Sequence, residues 1–211
     1  MKIKICGLRR KEDVAYANEV RPDFVGFILT EGFRRSITDD EARKLRSELD
    51  AGIPVVGVFV NDSEERIATL LEEGVIDAAQ LHGSEDEEMI LYIKARTGKP
   101  VIKAVKAENR FVVEAWLDSA ADYLLLDSGT GSGKTFDWSV LDEVMEAYGG
   151  ELPKQFFLAG GIHAGNVEEA HKRWRPYAVD LSSSVETDGV KDLAKMHEAV
   201  EAVRSLRKAT K

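Results

Sequence analysis

Apolar positions along this chain recur with two periods that take turns from one end to the other. Short β-branched or apolar runs read as strands: "KIKIC", "DFVGFIL", "VVGVFV", "DAAQLH", "VIKAV", "DYLLLD", "FFLAG" and "AVDLSS". Between them lie stretches with helical spacing: "EDVAYANEV", "DDEARKLRSEL", "SEERIATLLEEG", "EDEEMILYIKART", "ENRFVVEAWLDS", "WSVLDEVMEAYG" and "GNVEEAHKRW". A last helix is expected over residues 190–208, with Leu193, Met196, Ala199, Val200 and Val203 on one face. Asp39, Ser63 and Ser84 signal helix starts. Strict alternation makes the strands parallel and their crossovers right-handed. Eight such units predict an α/β fold, a closed (β/α)8 TIM barrel, with a doubly wound open sheet as the rival. No Pro- or Ser-rich linker divides the chain, so one domain over residues 1–211 is expected. Gly, Ser and Thr concentrate after the strands, where such a barrel carries its active face.

Side chains alternate faces along a strand, so Ile3 and Ile5 share one side of the first strand and Lys2, Lys4 and Cys6 the other. The outside of a barrel packs on helices and takes the aliphatic residues, which turns Lys4 and Cys6 inward. Taking the polar residues of the other strands as inward predicts an interior charge cluster of Lys4, Lys103 and Asp180. Cys6, His82, Asp127 and Ser182 then lie nearer the mouth, with Gln80 below His82. Cys6 is the sole cysteine. Residue type alone suggests a small buried hydrophobe. An inward thiol at a strand end, followed by Gly7, is instead placed for chemistry, and a neighbouring ammonium is expected to lower its pKa. Asp127 ends an apolar strand, either capping the next loop or serving as an acid opposite Cys6. Arg34 and Arg35 offer a grip for an anion or a solvated turn.

Charge narrows the partners. A net charge of −9 argues against general nucleic-acid or membrane-surface binding, and no apolar run approaches a membrane span. One cysteine allows no intrachain disulfide and fits a reducing, cytoplasmic setting; "MKIKICGLRR" has no apolar stretch of the signal-peptide kind. An anionic ligand must therefore be held by local groups. "AGGI" after the seventh strand supplies Gly160 and Gly161, and "SSSVE" after the eighth supplies Ser182, Ser183 and Ser184. Phosphate sites in this fold sit after those two strands. "GSGK" at residues 131–134 lacks the spacing of a nucleotide loop and reads as a flexible, partly basic lid.

Together these segments resemble the phosphoribosylanthranilate isomerase family. The likeness is carried by "KICGL" with "EDV", "VGVFVN", "AAQLHG", "VIKAV", "LLLD" with "GSGKTFDW", "LAGGI" with "NV", and "VDLSSSVE", in order from residue 4 to about 186. The resemblance implies a cofactor-free and metal-free Amadori rearrangement in tryptophan biosynthesis, with a small phosphorylated aminosugar as substrate. It implies Cys6 as general base, Asp127 as general acid and Arg35 on the anthranilate side. His82, Gly160, Gly161, Ser182, Ser183 and Ser184 are the remaining substrate-binding positions. Oligomeric state stays open. A related phosphosugar isomerase, an indole-forming lyase or a non-enzymatic phosphosugar-binding barrel are the alternatives, and the last of these has no need for both Cys6 and Asp127. Two positions depart from the family pattern. Arg9 stands where threonine is usual, and Ser184 replaces a glycine. At Ser184 a negative φ, with the serine as a phosphate donor, is expected over a strained positive one.

Overall fold

The first strand sets the phase of the architecture. In the computed structural model, which describes residues 1–127 and 138–209, Ile3 and Ile5 pack outward into the layer between strands and helices. Full burial of an isoleucine contributes about 1.5–3 kcal/mol. Lys4 and Cys6 thereby face inward. The chain alternates β1 (Lys2–Cys6), α1 (Lys11–Val20), β2 (Phe24–Ile28), α2 (Asp39–Glu48), β3 (Val55–Phe59), α3 (Glu64–Glu72), β4 (Ala78–Leu81) and α4 (Glu87–Thr97). It continues with β5 (Val101–Lys106), α5 (Arg110–Glu114), β6 (Tyr123–Asp127), α6 (Ser139–Ala147), β7 (Phe156–Leu158), α7 (Val167–Trp174) and β8 (Ala178–Leu181). β1 to β8 pair in parallel and in order, and β8 returns to β1 to close the barrel. The expected (β/α)8 fold is present, and the open-sheet rival is excluded by that closure.

Inside the barrel the side chains form tiers. At the N-terminal end Phe24, Tyr123, Phe157 and Tyr177 make an aromatic plug; the Tyr123 and Tyr177 rings stack with centroids 4.7 Å apart. Lys2 closes it from below, its Nζ donating to the Tyr177 hydroxyl at 2.8 Å. The hydrogen bond with Tyr177 and burial push the Tyr123 phenol up to about 12. Val56, Ile102, Leu125 and Ala178 pack around the plug in the same interior cluster, and the small residues Ala104 and Ala159 lie nearer the C-terminal ends of their strands. Those small side chains leave room at the C-terminal mouth.

Several expected boundaries move. The last helix, α8, begins at Leu193 rather than 190, because residues 186–191 fold as a hairpin of β9 (Glu186–Thr187) and β10 (Val190–Lys191). Its turn needs left-handed backbone at Asp188 (φ 51°) and Gly189 (φ 77°), which a helix cannot supply. Thr38, not Asp39, caps α2 through a hydrogen bond from the Glu41 N–H, and Asp86, not Ser84, caps α4. Ser63 stands at the N-cap of α3 without a capping hydrogen bond.

Candidate active site

Cys6 lies at the C-terminal end of β1, 7% exposed, facing the barrel interior. Beneath it Lys4 is fully buried and donates to Asp180 Oδ2 at 2.8 Å and to Gln80 Oε1 at 2.9 Å. The Lys4 ammonium also attracts the thiolate form of Cys6 from one step below it on the same strand face. Burial pulls the Lys4 pKa down, but Asp180 and Cys6 outweigh it, so the ammonium is held charged. For Cys6 burial pushes the pKa up and Lys4 pulls it down; Asp180 pushes up again and Lys191 pulls down. The net shift is upward, against expectation. One buried lysine shared with a carboxylate does not offset the loss of water around the sulfur.

Lys103 does not join this cluster. Ile102 and Ala104 occupy the interior side of β5, so Lys103 points outward, where it pairs with Glu85 at 2.8 Å and sits over the Trp116 ring. Its place inside is taken by Gln80, which is 1% exposed. Gln80 Nε2 lies 2.9 Å from His82 Nδ1, and His82 Nε2 lies 3.6 Å from Asp127 Oδ2. A polar chain, Lys4–Gln80–His82, buried at Lys4 and Gln80 and exposed at His82, therefore leads from beneath the thiol to the carboxyl group.

On the other side of the mouth the βα loop after β2 brings Arg35 over Gly7. A Cβ at Gly7 would stand 2.5 Å from Arg35 Cδ, and its φ of +82° is one glycine adopts readily, so this residue both turns the chain and admits the arginine. Arg35 grips Glu186 through Nε and Nη2, while Arg34 reaches Glu186 Oε2 at 2.7 Å and the Gly189 carbonyl at 2.9 Å. Lys191, 3% exposed, donates to Glu186 Oε1 and to the Ser182 carbonyl, both at 2.9 Å. Burial alone would raise the Glu186 pKa, but hydrogen bonds from Arg35, Lys191 and Arg34 hold it well below the usual carboxylate range. Arg9 braces the same turn, its guanidinium donating to the Arg34 and Gly189 carbonyls. Three cations, Arg34, Arg35 and Lys191, meet at the single carboxylate of Glu186, on a protein that is acidic as a whole. Arg35 is the inner arginine, 18% exposed against 51% for Arg34.

The two glycine- and serine-bearing loops meet the same mouth. Gly160 and Gly161 both have left-handed φ, 80° and 71°, and Asn166 Nδ2 holds the Gly161 carbonyl at 2.9 Å. Ser182 Oγ donates to the Cys6 carbonyl at 3.1 Å, tying the end of β8 to that of β1. Ser183, Ser184 and Val185 form a 3₁₀ turn; Ser184 is absent from the left-handed region, as expected, and its buried Oγ has no hydrogen-bond partner among the described residues. Residues 131–134, read as a lid, lie outside the described residues. Among those described, no group of three or more His, Cys, Asp or Glu side chains is arranged to hold a metal ion, and no helix is long and apolar enough to cross a membrane.

The sequence model of N-(5'-phosphoribosyl)anthranilate isomerase matches residues 3–202. The chain belongs to that family. A relative of this name from Endomicrobium trichonymphae is 47% identical over 210 residues, covering 97% of this chain and 99% of its own. The phosphoribosyl anthranilate isomerase structure from Thermus thermophilus superposes with a TM-score of 0.84 at 36% identity, covering 98% and 100% of the two chains. Another isomerase structure, described as a complex with reduced 1-(o-carboxyphenylamino)-1-deoxyribulose 5-phosphate, gives 0.83 at 33% identity and covers 97% and 99%. Membership of this family makes the chain an isomerase of tryptophan biosynthesis acting on a small phosphorylated substrate.

Lys191 and Glu186 are the members of the site that sequence reasoning missed. Glu186 stood inside a quoted motif, but its partners come from a distant loop. Lys191 was assigned to a helix and becomes a buried cation only once the hairpin folds. Gln80 carried a signal, since it shares strand parity with His82.

Proposed function

We propose that the barrel mouth converts N-(5-phosphoribosyl)anthranilate into 1-(2-carboxyphenylamino)-1-deoxyribulose 5-phosphate, with Cys6 as general base and Asp127 as general acid. The observation that carries this reading is an inward thiol and an inward carboxyl group on one rim, with a buried ammonium beneath the thiol. Asp127 protonates the ring oxygen as the C1–O bond breaks, and the nitrogen lone pair forms the iminium ion. Cys6, as thiolate, takes the C2 proton and the electrons of that bond flow to the imine nitrogen, giving an enolamine. Protonation at C1 and loss of the C2 hydroxyl proton then give the ketone. The imine is itself the electron sink, so the reaction calls for no metal or redox cofactor.

Arg35, the better buried arginine, takes the anthranilate carboxylate with the planar fork such a group needs. Gly160, Gly161, Ser182, Ser183 and Ser184 take the phosphate, and His82 lines the mouth beside the reacting sugar. A cytoplasmic location and a single domain fit this reading. Turnover is followed by the loss of substrate fluorescence. Cys6→Ser and Asp127→Asn should each fold normally and lose about 10²–10⁴-fold in kcat. Near-wild-type kcat in either variant refutes the role given to that residue.

A further inference from the structure

His82 reaches Asp127 from one ring nitrogen and Gln80 from the other, and the proton on that ring is not free to choose. Lys4 has three N–H donors and no acceptor, so the Gln80 atom it touches must be the carbonyl oxygen, Oε1. Gln80 then turns its NH2 group, Nε2, to His82 Nδ1, 2.9 Å away. Nδ1 must accept, which leaves the ring proton of a neutral imidazole on Nε2, the atom facing Asp127 Oδ2 at 3.6 Å. Lys4 and Gln80 are fully or almost fully buried, so water does not compete for the bond that fixes the Gln80 amide.

We propose that Gln80, itself oriented by Lys4, is a positioning residue that locks His82 as the Nε2–H tautomer and so makes it a hydrogen-bond donor to the Asp127 carboxyl group. The inference rests on Asp127 acting as the acid. In the locked tautomer His82 offers no lone pair to Asp127, and the acidic proton is left for the sugar ring oxygen. In the other tautomer Nε2 is an acceptor, the Asp127 proton turns to the histidine, and the acid is misdirected. After proton transfer the same N–H stabilises the carboxylate. At 3.6 Å the contact is longer than a hydrogen bond, as catalytic contacts often are before substrate draws them together.

The test reads the tautomer directly, from ring nitrogen–proton correlations in ¹⁵N-labelled protein, with the His82→Gln spectrum identifying the His82 signals among the four histidines. Wild type should show a protonated Nε2 and a lone-pair Nδ1. Gln80→Glu keeps the length and the Lys4 contact but presents only acceptors to Nδ1. It should put a proton on Nδ1 and lower kcat at least tenfold, with KM changed less than threefold. Gln80→Met removes the lock without adding charge and should give mixed tautomers with an intermediate kcat. A wild-type ring protonated on Nδ1 overturns the proposal, and so does an Nδ1-protonated Gln80→Glu with undiminished kcat. Failure of the acid assignment is seen separately, as undiminished kcat in Asp127→Asn with the Nε2–H tautomer still present.

Discussion

Gly26→Ala puts the placement of the Cys6 sulfur to a direct test. Gly26 pairs with Cys6 across β1 and β2 and faces the barrel interior beside it. A Cβ added there would lie 2.7 Å from Cys6 Sγ and 3.1 Å from its Cα. Ordinary contact is about 3.5–4.0 Å, so the sulfur must move by about 1 Å or the strands must part. Overpacking of this kind destabilises by about 1–3 kcal/mol, and replacing glycine recovers about 0.4–1 kcal/mol through the unfolded chain. A net loss of about 1–2 kcal/mol lowers Tm by about 2–8 °C in a chain of this size. A displacement of about 1 Å at a reacting atom costs about 10²-fold in rate. Activity should therefore fall much further than stability.

Gly57→Ala is the control. Its Cβ would meet Ile76 Cδ1 at 2.7 Å and Phe59 Cε2 at 2.9 Å, both in the outer layer. It should lower Tm comparably and leave kcat within about twofold. The measurements are thermal melts and the fluorescence assay on both variants. Wild-type kcat in Gly26→Ala would refute the claim that the sulfur must stay where it is. An equal loss in Gly57→Ala would show that the rate reports general strain.

Lys103→Met should destabilise the fold by about 3–5 kcal/mol in urea, because Glu85 is left as a buried charge, while kcat per folded molecule is unchanged. Adding Glu85→Gln should return part of that loss, since the buried charge is gone, although the amide oxygen can accept from only one of the two backbone N–H groups, of Asn61 and Gly83, that the carboxylate accepts. Glu186→Gln should flatten the acid limb of the stability curve. Glu186 has a depressed folded pKa, so its contribution is full above the ordinary carboxylate range and is lost as pH falls from that range down through the folded pKa; melts from pH 7 down to the lowest pH at which the protein stays folded should separate wild type from variant most at pH 7. Ser184→Gly should weaken binding of inorganic phosphate about fivefold, the worth of about 1 kcal/mol for one neutral hydrogen bond, and tighter binding by the variant would count against the donor role.

Strand parity made Cys6 legible and misplaced Lys103, for one physical reason. In "KIKIC" the two isoleucines leave a single sensible outer face, and the lysine and cysteine must turn in. In "VIKAV" both faces are apolar enough to serve, so the lone polar residue does not decide the phase. What decides it is outside the strand: Glu85 in the preceding loop and Trp116 beyond α5 form a buried seat for an ammonium. The barrel itself was readable because alternation repeats eight times and errors at single boundaries do not accumulate. The Glu186 cluster was not readable, because it joins the loop after β2 to a hairpin that depends on two left-handed residues.

The raised thiol pKa bears on when the base is made. At rest, burial and Asp180 keep the proton on sulfur, with Lys4 and Lys191 opposing them. A permanent thiolate in this interior would add a second negative charge beside Asp180, with the barrel's low polarity magnifying the repulsion. In the mechanism proposed above, ring opening changes that balance. Asp127 gives up its proton, the imine nitrogen becomes positive, and this new cation arises on the substrate within the same mouth. It favours the thiolate while also making the C2 hydrogen acidic. The substrate's phosphate and carboxylate act oppositely, but the proposed binding mode puts them at the glycine–serine loops and at Arg35, each beside its own donors. On this proposed assignment the base is strengthened at the step that uses it, and the buried lysine below the sulfur acts in the same direction.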